Sequence, residues 1–227
     1  MGSRFYYSAY DAPKKSAYSS KNEFQKVYYH ELGTPQSADK LVYEDKAHPL
    51  RYFSAVPSED GKWLFIVGSE GTSGTEILYK KVSEPKFRTL LPGFDADYMP
   101  VDCKDDQLYY VTNENASNCA LMKIDLNRPA QIATVIPEDE KNLLEGVGSA
   151  GGYLFASYLE DAQSRIRQYD YDGKYFFSAS YRRDASSRFH PDHRWGNFGS
   201  VGGAWLLTKE NFLKDVKWLN MLKLKAS

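Results

Sequence analysis

Two groups of residues in this 227-residue chain have the types and spacing to do chemistry. Gly199-Ser200-Val201-Gly202-Gly203 sets a hydroxyl among small residues, as on the strained turn that carries a serine nucleophile. Such a serine needs a histidine base and an acid to orient that base, in the chain order serine, acid, histidine. Asp215 follows Ser200, but His30, His48, His190 and His193 all precede it. The order fails, so the motif reads as a glycine-rich loop before a helix, and no catalytic residue is assigned. The second group, His190-Pro191-Asp192-His193, places two imidazoles three residues apart around a carboxylate. The proline, and the lack of a second ligand cluster, leave it short of a metal site. Asp95/Asp97, Asp105/Asp106 and Glu138/Asp139/Glu140 lack the glycine-centred oxygen spacing of a calcium loop and read as turn acids. No metal and no cofactor is expected. Asn115-Ala116-Ser117 fits a glycosylation acceptor, with nothing else to indicate secretion.

The elements that position these residues follow a repeat. Phe5–Asp11, Leu64–Glu70, Leu108–Glu114 and Tyr153–Asp161 are aromatic-rich runs that end in small or acidic residues. Each is followed by a second run: Lys26–Leu32, Glu76–Val82, Ala120–Leu126 and Arg165–Tyr171. Leu64 to Leu108 is 44 residues and Leu108 to Leu154 is 46. The first interval is longer because a Lys/Ser-rich loop, residues 13–22, is inserted. Two strands per unit of about 45 residues is the signature of propeller blades. Asp60-Gly61 and Asp172-Gly173 supply hairpin turns beside the strands. A β-sandwich, with strands every 8–12 residues, lacks this two-level period. The fold expected is all-β: a partial propeller of three to four blades over residues 1–174, then a tail over 175–227. Its core should include Tyr28, Leu64, Ile66, Ile77, Tyr109, Val111, Ile124, Leu154 and Phe155.

Charge divides the chain. Residues 175–227 carry a net +5 and residues 1–174 a net −6. An acidic propeller body argues against a nucleic-acid partner. No apolar run is long enough to span a membrane as a helix and no leader pattern opens the chain, so a cytoplasmic location is expected, with a periplasmic origin of a longer protein left open. Cys103 and Cys119, without a CxxC, read as free thiols, with a disulfide the lesser alternative. A chain that starts inside a blade suggests a fragment.

Residues 26–53 sharpen the reading. Lys26, Tyr28, Tyr29, His30, Leu32, Gly33, Thr34, Gln36, Ser37 and Asp39, followed by His48-Pro49, resemble a propeller strand and loop of the prolyl oligopeptidase family of serine peptidases. Ser58-Glu59-Asp60-Gly61-Lys62-Trp63-Leu64 is similar to that family's next blade start, and Glu70-Gly71-Thr72-Ser73-Gly74 to the loop that follows. Ile136-Pro137-Glu138 and Tyr169-Asp170-Tyr171-Asp172-Gly173 match later positions. The resemblance covers about residues 4–174. It implies a seven-bladed propeller that caps a peptidase domain and limits substrates to short peptides, cut after proline. It also implies that short proline-containing peptides are met through a peptidase domain this chain lacks. In many members an arginine precedes the Glu-Gly pair and touches substrate. Here that residue is Ser69, so any contact from this loop must come from Ser69, Glu70, Thr72 or Ser73, and a carboxylate anchor is in doubt.

After Lys174 the pattern stops. Phe176–Arg188 resembles Tyr153–Arg165 at an offset of 23, half a blade. Lys209–Lys225 spaces its apolar residues as a short amphipathic helix. Three functional readings stand side by side: an inert gating segment of a prolyl oligopeptidase-like endopeptidase, a peptidase whose activity resides in residues absent here, and a stand-alone module that binds peptide or protein by strand addition. Open blade edges would also favour self-association.

Overall fold

The structure, a computed structural model, describes residues 4–12, 21–160, 163–185, 195–210, 212–213 and 222–226. Two compact units divide the chain: Met1–Asn115 with Ile124–Ile132, and Ala116–Lys123 with Ala133–Ser227. The described residues form four antiparallel sheets. The first holds β1 (Arg4–Ala9), β2 (Lys26–Glu31) and β3 (Lys40–Glu44), in that order. The second holds β4 (Tyr52–Pro57), β5 (Trp63–Ser69), β6 (Thr75–Lys81) and β7 (Arg88–Leu91). The third holds β8 (Tyr98–Lys104), β9 (Gln107–Thr112), β10 (Ala120–Asp125) and β11 (Ile132–Ile136). The fourth runs through six strands: β12 (Leu143–Ala150), β13 (Tyr153–Glu160), β14 (Gln163–Tyr169), β15 (Tyr175–Ala185), β16 (Trp195–Leu206) and β17 (Lys223–Ala226). The 44- and 46-residue intervals join β5, β9 and β13, the second strand of successive sheets. This is the meander of propeller blades, as the repeat requires.

Burial follows strand position. Trp63, Leu64, Phe65 and Ile66 of β5 are all buried, as are Leu108 to Thr112 of β9. A short, wholly apolar run of this kind is what a strand covered on both faces demands. Strand β13 alternates instead: Leu154, Ala156 and Tyr158 are buried, while Tyr153 and Leu159 are exposed. Pro100 sits in β8, an edge strand, where its missing N–H breaks no ladder. The first two sheets share a cluster of Val27, Phe53, Ile66 and Leu78, packed by Tyr6, Val42, Tyr43, Ala55 and Phe87. Each large side chain so buried contributes about 1.5–3 kcal/mol. Of the expected core residues, Tyr28 and Phe155 are only half-buried. A bulge between Val27 and Tyr28 in the β2–β3 ladder accompanies the exchange. Val27 takes the core position, and Tyr28 stacks on Tyr7 with ring centres 5.6 Å apart.

The tail corrects one expectation and bounds another. Gly199-Ser200-Val201-Gly202-Gly203 is no loop but the middle of β16, paired residue by residue with Ser178–Tyr181 and neighbours of β15. The expected helix over 209–225 gives way at its end to β17, where Leu224 pairs with Trp205. Phe212 and Leu213, two apolar members of the helical pattern, form a turn instead; residues 211 and 214–221 lie outside the described residues. Once β16 offers an open edge, ladder hydrogen bonds outweigh weak helical periodicity. The 23-residue offset also finds its physical meaning: β15 stands two strands from β13 in one sheet and so runs in the same direction.

Three polar ties fix the first unit. Between β8 and β9, Asp105 and Asp106 form a two-residue turn with φ of 51° and 57°. Positive φ at both positions defines the tight hairpin geometry, and aspartate tolerates it better than most residues. The Asp106 carboxylate accepts hydrogen bonds from Trp63 Nε1 at 2.7 Å and Asn127 Nδ2 at 3.2 Å. Those bonds hold its pKa below the usual range. Ahead of β6, Gly74 has φ 81°, and a Cβ there would lie 1.9 Å from the Phe94 carbonyl oxygen. Its N–H donates to Asp97 Oδ1 at 2.7 Å. The Thr75 hydroxyl donates to the Tyr98 carbonyl at 3.0 Å and accepts the Tyr98 N–H at 2.6 Å. In the first sheet, Asp39 accepts from the Tyr7 hydroxyl at 2.6 Å and faces His30 Nδ1 at 2.6 Å.

These ties make three expectations measurable by urea or thermal denaturation. Asp106→Ala strands the buried Trp63 N–H and lowers stability by about 1–3 kcal/mol, while Asp106→Asn keeps an acceptor and loses less. Gly74→Ala drives a Cβ into backbone and forces a left-handed residue, so it lowers stability by about 2 kcal/mol or more. The Asp39 carboxyl is held below its ordinary value, first by the Tyr7 hydroxyl. Its contribution is therefore complete above the unfolded value and lost as pH falls through the lower folded one. Asp39→Asn flattens the acid limb of the stability profile; an unchanged limb would contradict the tie.

Candidate functional site

The loop Ser69–Gly74 joins β5 to β6, whose ladder closes with Ser69 opposite Thr75. The close approach at Gly74 and the double bond of Thr75 anchor its second half. Ser69 is half-buried, and Glu70, Gly71, Thr72 and Ser73 are exposed. The four expected contact residues, Ser69, Glu70, Thr72 and Ser73, are thus brought to one hairpin tip.

Glu70 is not a free acid. Its Oε1 accepts Arg51 Nε at 2.5 Å. The same guanidinium donates from Nη1 to Glu76 at 3.2 Å and lies 3.5 Å from Asp45. Its plane covers the Phe94 ring at 4.7 Å from the centroid. Burial works against the Arg51 charge, but the three carboxylates outweigh it and raise its pKa. Burial also raises the Glu76 pKa; Arg51 opposes this, and Asp45 and Glu70 add to it. Three carboxylates meet one cation, so the tip carries a net negative field. It suits a positively charged or hydrogen-bond-donating group and repels a carboxylate. Sequence reasoning missed Arg51. The signal was present: a lone arginine two residues past His48-Pro49, preceded by Glu44 and Asp45.

The other candidates do not assemble. Ser200 lies within a strand rather than on a strand-to-helix turn. His30 and His48 face Asp39 and Asp45, the latter at 2.8 Å. His190 and His193 lie outside the described residues. No cluster of three metal-ligating side chains occurs among the described residues. Cys103 and Cys119 are not joined in a disulfide, and burial above all pushes Cys103 up to about 12, far from a reactive thiolate.

Comparison with known proteins adds descent to this geometry. The family model for the prolyl oligopeptidase N-terminal beta-propeller domain matches residues 2–193, past the Lys174 limit read from the motifs. A prolyl endopeptidase of Elizabethkingia miricola is 37% identical over 174 residues, covering 75% of this chain and 24% of that enzyme. A solved structure from a study of two prolyl endopeptidases superposes with a TM-score of 0.67 at 26% identity, over 90% of this chain and 37% of that one. A separate likeness, 49% over 59 residues, links 26% of this chain to 6% of the TonB-dependent receptor P39 of Formosa agariphila. The chain spans about a quarter of the length of the prolyl endopeptidases it matches. The sheets, the motif set and the matched family model together show that this chain belongs to the prolyl oligopeptidase family, within its N-terminal β-propeller domain.

Proposed function

We propose that this chain is part of the propeller that filters substrates for a serine endopeptidase cutting short peptides after proline, and that it is inactive by itself. The family-model match over residues 2–193 carries the reading. Two features support it. The described residues hold no serine, acid and histidine in catalytic relation. The Ser69–Gly74 tip presents an acidic, hydroxyl-bearing surface with its arginine already satisfied, which favours peptide amides and cationic groups over chain-terminal carboxylates. The filter works by exclusion: a stack of blades admits an extended peptide and turns away a folded protein.

Grafting tests this directly. Residues 4–174 would replace the matching segment of the Elizabethkingia miricola prolyl endopeptidase. The chain alone should give no turnover of a short proline-containing peptide. The graft should cleave that peptide and leave a folded protein of similar sequence content intact. A graft that digests both equally rejects the filtering role. A chain that instead captures extended peptides on its own, with mutations at the Ser69–Gly74 tip without effect, favours the strand-addition module.

A further inference from the structure

The fourth sheet builds a cleft that the propeller repeat does not account for. Its walls and floor come from single strands, and the register fixes which residues face it. Arg167 of β14 pairs with Ser178 of β15, and Ser178 pairs with Gly202 of β16. Side chains two residues apart on a strand share a face. Arg165 and Arg167 therefore rise on one side, and Lys223 and Lys225 of β17 on the other. Between them the floor is Ser178, Ser200 and Gly202, which have little or no bulk. The two walls stand three strand spacings apart, about 14 Å. The loop ahead of β12 adds Lys141 and Asn142 to the rim. The resulting cleft has a volume of about 550 Å³, within the range of small-molecule sites.

Its charge is one-sided. Five cations face two carboxylates, Asp139 and Glu160, a net +3. Both carboxylates are already committed to Arg167, at 3.0 and 3.7 Å. The Arg167 guanidinium is further held 4.1 Å over the Tyr158 ring. Among the described residues no carboxylate lies within ion-pair distance of Lys141, Arg165, Lys223 or Lys225. Lys223 leans across β16 to place Nζ 3.9 Å from the centre of the Phe176 ring on β15, over the floor rather than out to solvent. Like charges gathered over a small-residue floor are a repulsive arrangement unless an anion completes it.

We propose that this cleft binds a compact multivalent anion, one with two or more phosphate or carboxylate groups. The two walls and the lysine at the rim supply separate cationic contacts, and the small floor residues Ser178, Ser200 and Gly202 supply the room. The state of Lys223 agrees: burial first, then the charges of Lys225 and Arg167, bring its pKa down to about 8, with Asp139 in weak opposition. A bound anion restores the ammonium form. Affinity should therefore fall as pH rises through about 8, and binding near that pH should take up a proton.

Isothermal titration of the full chain at low ionic strength, with tripolyphosphate and separately with citrate, tests this. The expected result is saturable one-site binding, weakened at least tenfold in Lys223→Gln/Lys225→Gln and unchanged in Lys46→Gln/Lys86→Gln, which removes the same charge elsewhere. Arg165→Gln, on the opposite wall, should give a similar loss and serves where the lysine pair unfolds the sheet. Binding of tripolyphosphate alone assigns the site to phosphate groups; binding of both anions assigns it to multivalent anions of either kind. A flat isotherm for both, or equal weakening in the two double variants, overturns the proposal.

Discussion

A single tryptophan N–H governs how the first unit is assembled. Trp63 opens β5 at 1% exposure, so its indole must find an acceptor inside the protein or leave a polar group stranded. The acceptor, Asp106, comes from the turn of the next sheet, and that turn places it only by holding two non-glycine residues at positive φ. Backbone strain in one sheet thus satisfies a donor in another. Asp106 also accepts from Asn127, and its carbonyl takes the Leu126 N–H at 2.9 Å, so the strand exit after β10 is set by the same residue. Stacked sheets have no continuous backbone hydrogen bonding from one to the next. Side-chain ties of this sort, with the apolar cluster around Phe53 and Ile66, are what hold them in register.

That logic explains what could be read from the sequence and what could not. The second strands of the second and third sheets were legible because a strand covered on both faces must be apolar throughout, and Leu64–Val67 and Leu108–Val111 are. Outer strands such as β7 and β11 were not, since a short, half-exposed strand leaves a faint pattern. Asp105-Asp106 could be read as a turn from its place before Leu108, yet its bond to Trp63 could not. The separation of 43 residues between those partners is set by the fold and by nothing local. The loop Ser69–Gly74 was legible from its motif, whereas the Arg51 that pairs with Glu70 was not, because ion pairing depends on which strands are neighbours. The tail misled for a related reason. Phe212, Leu213, Leu222 and Leu224 approach helical spacing, but in β17 Leu224 faces away from Lys223 and Lys225, and an available sheet edge decides between the two.

The fourth sheet keeps large apolar side chains exposed. Ile166, Tyr175, Phe177, Val201 and Leu224 are each 48% exposed or more, and the register puts Ile166, Phe177 and Val201 on one face. Opposite them lie the arginines and lysines of the cleft. The sheet is thus divided, with an apolar face in water on one side and concentrated positive charge on the other. Each apolar side chain left wet forgoes about 1.5–3 kcal/mol, against a net stability of about 5–15 kcal/mol for a whole domain. Covering that face offers more stabilisation than any hydrogen bond described above.

The two faces also differ in what can satisfy them. Any apolar surface of suitable shape can cover Phe177 and Val201, because the hydrophobic effect has no direction. The cationic side admits fewer solutions. Lys223 is partly desolvated beside Lys225 and Arg167, and a group carrying negative charge at the right separation relieves it. A partner chosen by area would settle on the first face, and a ligand chosen by chemistry on the second. In a propeller built by repetition, the features that depart from the repeat are therefore the ones that discriminate: the acidic tip closed by Arg51 and the basic cleft flanked by β14 and β17.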